Sequence, residues 1–128
     1  MDSLRGVGAL LGRIMLAYIF VSAGIEKIGG SAATMKFMAS GGLPRSLVPE
    51  LFVLSVVIEL LGGLMLIAGW HAELASLIMF LFMIPVTIMF HVSTGQTVEW
   101  EKNLAIMGGL LMVAVLGPGR LSVRRVRK

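Results

Sequence analysis

The chain has 128 residues, 57% of them hydrophobic and 14% charged, with mean hydropathy +0.94, a formal net charge of +4 and no cysteine. A soluble domain carries roughly 25% charged residues, and a chain this short has too much surface per unit volume to hide so much apolar area from water; lipid is the solvent that removes the conflict. The missing cysteines exclude disulfides, thiolate metal sites and electron transfer through the chain's own thiols, and the basic excess does not indicate nucleic acid, because Arg120, Arg124, Arg125, Arg127 and Lys128 are gathered in a C-terminal tail behind an apolar stretch, the pattern of a cytoplasmic anchor to anionic lipid.

A spanning helix needs about 20 mostly apolar residues. The first predicted span runs from about Gly8 to Ile28, where Gly29-Gly30 stops it. Arg5 and Val21-Ser22-Ala23 loosely resemble a secretory signal and its cleavage site, but Arg13 interrupts the hydrophobic region and argues against removal. Residues 31–48 are too few and too polar to span. Ser31 is expected to cap a short helix from Ala32 to Ala39, with Met35, Phe37 and Met38 dipping into the interface and Lys36 among headgroups, as an interfacial lid.

Gly41-Gly42-Leu43-Pro44 and Pro49 bracket the entry to a second span, about Pro49 to Gly69. Gly69-Trp70-His71 is a tight turn, so the second and third spans are antiparallel neighbours. The third, about Glu73 to Val92, contains Pro85, which removes one helical hydrogen bond and predicts a kink, with Thr87 placed to serve the freed carbonyl. Ser93-Thr94-Gly95-Gln96 ends it. The fourth runs from about Asn103 to Pro118, closed by Gly117-Pro118-Gly119 and followed by the basic tail 120–128. Gly8, Gly12, Gly24, Gly62, Gly63, Gly108 and Gly109 are expected to let helices approach closely.

The expected fold is therefore all-α: a single-domain integral membrane four-helix bundle with a short interfacial helix between its first two spans. An N-in, C-in arrangement puts Arg5 and the basic tail inside and leaves Lys36 and Arg45 outside, with Lys102 at the outer rim, which satisfies the positive-inside bias. The corresponding location is a bacterial cytoplasmic (inner) membrane.

Glu59 is the most informative residue, because it falls mid-span, where a charge costs about 3 kcal/mol. Twelve Leu, Ile, Val or Phe residues between Leu51 and Ile67 still carry the segment into the bilayer, and the glutamate must face the bundle interior or be protonated. Arg13 is its expected partner, at an axial offset of ~7 Å for a 1.5 Å rise per residue, with snorkelling to the inner headgroups as the alternative. Arg13, Phe20, Gly24 and Lys27 share one face of the first span; Lys27 lies near the outer surface, where it can equally snorkel.

His91 lies near the outer end of the third span on a face continued by Thr87, Ile84 and Phe80, where a lone histidine can equally be only an interfacial hydrogen-bonder; Lys102 and Asn103 open the fourth on the same side, and Asn103 alone suits a helix cap. Lys27, His91, Lys102 and Asn103 are expected to meet at the outer mouth, with Glu59 deeper, giving an apolar pocket with a few polar groups aimed inward. A quinone suits such a site: its carbonyls accept hydrogen bonds, its chemistry exchanges protons with groups such as Glu59 and His91, and its tail favours lipid. A metal or haem site is disfavoured, because His71 and His91 sit on opposite faces of the membrane. No phosphate loop, nucleotide fingerprint or nucleophile–base pair is present.

Arg13-Ile-Met-Leu-Ala-Tyr-Ile-Phe-Val-Ser-Ala-Gly24-Ile-Glu-Lys27, the turn Gly42-Leu43-Pro44, Glu59-Leu-Leu-Gly62-Gly63 followed by Gly69, then His91, Lys102-Asn103-Leu104 with Gly108-Gly109, and Gly117-x-Gly119-x-x-Ser122 together resemble the DoxX family of small four-helix membrane proteins. The resemblance implies a compact membrane bundle whose polar positions are Arg13, Lys27, Glu59, His91 and Asn103. It also implies an oxidoreductase component, since relatives resemble the membrane subunit of a thiosulfate:quinone oxidoreductase, with soluble or membrane-bound redox partners. Fold alone does not settle function, and two other readings stand beside it. One is a non-enzymatic membrane adaptor, or scaffold, for redox-stress partner proteins. The other is a small-solute or lipid transporter, disfavoured by the absence of an inverted repeat. The glycines and the short fourth span suggest a homo-oligomer.

Overall fold

The structure is a computed structural model of the chain, and it describes residues 2–89 and 97–122. All regular structure among the described residues is helical: α1 (Asp2–Gly29), α2 (Ser31–Ser40), a single 3₁₀ turn (Arg45–Leu47), α3 (Val48–Ala68), α4 (Ala72–Thr87) and α5 (Thr97–Leu116). α1, and α3 together with the 3₁₀ turn before it, are each long and apolar enough to cross a bilayer; α4 is a shorter apolar helix.

Most breaks fall where backbone chemistry demands them. Gly42 takes φ +103° after α2, and its N–H bonds to the Ala39 carbonyl. α3 closes on Gly69 at φ +76°, with the Trp70 N–H reaching back to the Met65 carbonyl, the six-to-one closure of a left-handed helix cap. His71 then enters α4 with a left-handed backbone of its own. Ser31 is not the cap foreseen for α2: it is the first helical residue, and Gly30 precedes it without a side-chain bond. α5 begins six residues before the expected Asn103, at Thr97, because Glu99, Glu101 and Lys102, too polar to count toward a span, are good helix formers.

α3 packs between α1 and α4, α5 lies on α4, and α1 touches α5 only sparingly. The α1–α3 contact is the closest. A Cβ on Gly63 would stand 2.6 Å from Val21 Cγ2, and one on Gly24 would stand 2.7 Å from Leu60 Cγ. Gly62 likewise receives Met79 of α4. Gly8, Gly12 and Gly108, expected in the same role, have nothing within 4 Å of where a Cβ would be.

Polar residues lie among the buried ones, and large apolar residues cover the surface. Arg13, Ser55, Glu59, Ser76, Thr87 and Asn103 are buried, while Leu11, Met15, Tyr18, Leu61, Leu64, Leu81, Met112 and Val115 are exposed. The buried apolar cluster that remains is built around Ala17, Phe20, Leu66, Ala72, Met79, Met83 and Leu110. Hydrocarbon is the medium in which that outer surface is stable and in which polar groups must turn inward to find partners.

Candidate functional site

α1 presents Arg13, Ala17, Phe20 and Gly24 as one buried face, with Lys27 three residues on; a straight helix produces this line from those spacings. The two cations of the face go to different places. Lys27 Nζ donates to both carboxylate oxygens of Glu59, at 2.8 Å to Oε1 and 2.7 Å to Oε2. Arg13 does not pair with Glu59. Its guanidinium donates to the carbonyls of Leu66 at 2.8 Å and Ile67 at 3.0 Å, and to that of Leu121.

The correction comes from helix register. Gly24 lies opposite Glu59 and Leu60, and Gly63 opposite Ala17 and Val21. On that register Arg13 sits about 11 residues along α1 from the level of Glu59, roughly 16 Å at 1.5 Å per residue. Lys27 is a single turn from that level, within reach of its four-carbon stem. The lysine that seemed free to snorkel outward therefore turns in.

Above the ion pair lies a cavity of about 490 Å³ bounded by all five helices and by Leu43 between them. Its walls are largely apolar, with Phe20, Leu51, Phe82, Met83 and Ile106 among them; Lys27, Thr34, Ser55, Glu59 and Asn103 supply polar atoms. α2 forms its roof through Thr34, Phe37 and Met38, and is held there by Met38 packing with Val48 in a second apolar cluster that includes Leu43, Phe52 and Met89. A short helix is expected within residues 31–48, and α2 supplies it. Phe37, Leu54 and Pro85 line the cavity and are also exposed, so it opens sideways onto the apolar surface.

Asn103 is buried mid-helix rather than capping α5, and its Nδ2 donates to Thr87 Oγ1 at 3.2 Å, tying α5 to α4. Thr87 thus serves Asn103. Lys102, expected at the same mouth, lies outside the cavity, in an exposed pair with Glu99 at 3.0 Å. His91 lies outside the described residues. Sequence reasoning missed Ser55 and Thr34. Ser55 could have been found, since it lies one turn from Glu59 on the same face of α3; nothing in the sequence marked Thr34.

A sequence model of the DoxX family matches residues 8–92. The chain is 33% identical to the inner membrane protein YqjF of Escherichia coli K12, over 98% of this chain and 96% of YqjF. It is 27% identical to the inner membrane protein YphA of the same strain, over 94% of this chain and 91% of YphA. No solved structure matches it.

Proposed function

This chain belongs to the DoxX family, and from that premise we propose that it is a four-span, N-in, C-in bundle of the cytoplasmic membrane that binds a quinone in the cavity beneath α2, as the membrane-embedded component of a quinone-linked redox system. The observation that carries the reading is the Lys27–Glu59 pair on the wall of an apolar cavity that opens toward lipid. An amphipathic ring compound can enter such a cavity sideways without crossing water, and a few polar groups in apolar walls suffice to orient it.

The donor set fits that ligand. Lys27 uses two of its three N–H donors on Glu59, and Asn103 uses one of two on Thr87. Each keeps a donor for a ring carbonyl. Glu59 is the carboxylate placed to accept or release a proton. His91 is the second group assigned to proton exchange. Ser55 gives its hydroxyl hydrogen to the Phe52 carbonyl at 2.8 Å and so offers the cavity an acceptor. A bound quinone would supply two-electron, two-proton chemistry, and electrons would come from a partner protein, since this chain has no cysteine.

Mass spectrometry of organic extracts from detergent-purified protein tests the reading. Quinone near one per chain is expected in the wild type, and its loss in a Glu59→Gln, His91→Ala double variant. Wild-type protein that carries no quinone would transfer the assignment to a membrane adaptor. One observation favours that second reading: Arg13, the Lys27–Glu59 pair and Asn103 all make interhelical or helix-to-tail bonds, which a device that merely sets helix register would also do.

A further inference from the structure

A second hollow, of about 680 Å³, lies between α1 and α5 near the end of the molecule that carries Arg5. It exists because those helices hardly touch, with Gly12 leaving open space on α1. Leu16, Met112 and Leu116 give it apolar sides, and Met112 and Leu116 are exposed, so the hollow is a groove on the apolar surface.

Two cations line this groove. Arg5 is exposed at its mouth. Arg13 is 2% exposed, and among the described residues it bonds to backbone carbonyls alone, with no carboxylate against it and no acceptor for its Nε. A buried cation with no counter-charge is costly in a low-dielectric medium. Glu59 cannot serve, because Lys27 holds it at another level of the molecule. A second copy of this chain, packed two-fold on the same groove, would add like charges to a site already positive. The occupant that satisfies both halves has an apolar chain and an anionic head.

We propose that the α1–α5 groove is a binding site for one anionic phospholipid, its acyl chain passing Gly12 and Leu16 and its phosphate drawn to Arg5 and the fixed charge of Arg13. The site is separate from the cavity beneath α2 and does not depend on what that cavity holds.

Native mass spectrometry of the full-length protein, released from detergent after incubation with phosphatidylglycerol or phosphatidylcholine, tests it. The expected result is a one-to-one phosphatidylglycerol adduct preferred over phosphatidylcholine. Arg5→Gln should reduce that preference by about fivefold, the scale of one basic residue near an anionic lipid. Gly12→Leu, which puts a side chain into open space, should remove the adduct without lowering the melting temperature. Equal retention of the two lipids by the wild type overturns the proposal, as does an adduct unchanged in Gly12→Leu. If Gly12→Leu fails to fold, Arg5→Gln decides alone. Rapid disulfide dimerisation of a Gly12→Cys variant in native membranes would give the groove to a second copy instead.

Discussion

Arg13 and Glu59 are both charged residues buried in an apolar chain, yet they do different work. Arg13 spends its hydrogen bonds on carbonyls at the end of α3 and on the segment after α5, where a helix runs short of backbone donors. Arg13→Met is expected to lower stability by about 2 kcal/mol, since it removes the side-chain donor from the part-buried carbonyls of Ile67 and Leu121, while that of Leu66 keeps the Gly69 N–H; thermal unfolding in detergent measures it, and limited proteolysis should show the chain after Leu116 becoming cleavable. Lys27 and Glu59 satisfy each other, so the informative comparison is single against double replacement. Lys27→Met alone and Glu59→Leu alone should each cost about 3 kcal/mol by leaving an unpaired charge, and the double variant should recover most of that loss. If the cavity binds quinone, the stable double variant will still have lost it. A stable double variant that retains ligand would reduce the pair to a clasp between α1 and α3.

At the level of elements, helix contacts are decided by where glycine meets a side chain. Gly63 faces Val21 Cγ2 with backbone of Ala17 and Val21 close behind, and valine has little rotamer freedom with which to give way. Gly63→Ala should therefore cost about 1–3 kcal/mol through forced separation of α1 and α3, whereas Gly12→Ala, in open space, should be neutral or slightly stabilising. Differential scanning fluorimetry of the two variants checks both signs. The last described element follows the same logic. Gly119, at φ +92°, passes so close to Ala9 that a Cβ would lie 2.7 Å from it, and Gly117 and Gly69 also take positive φ. The pattern Gly117-x-Gly119-x-x-Ser122 is thus a backbone crossing under α1, where Ser122 closes on Gly69 and Arg13 secures Leu121.

For the whole molecule, the apolar exterior requires a membrane, and the two ends of the molecule differ in content. One end holds Arg5, the Gly69–His71 turn and the return of the chain after α5; the other holds α2, the 3₁₀ turn and the cavity. In the proposed N-in, C-in orientation the first faces the cytoplasm. The cysteine-free sequence makes this simple to test. Arg45→Cys should react with a membrane-impermeant maleimide in spheroplasts, and Trp70→Cys only after permeabilisation. The reverse pattern would invert the topology and place the cavity on the cytoplasmic side.

Composition determined that this chain belongs in a membrane, because 57% hydrophobic content in 128 residues has no aqueous solution, and apolar runs of about 20 residues made it helical. Glycine and proline positions determined most of the breaks, since φ and the missing N–H are properties of single residues. The sequence also marked Arg13, Lys27, Glu59 and Asn103 as the polar groups to be explained. It could not say which of them meet. Pairing depends on the axial register of α1 against α3, and that register is chosen by shape: Gly24 under Leu60 and Gly63 under Val21. Hydropathy does not distinguish one register of these two helices from another, yet the register decides which cation of α1 meets Glu59. The cavity and the groove are likewise gaps between elements distant in sequence, one left beneath α2 and the other between α1 and α5, and a gap exists only once the helices around it have packed.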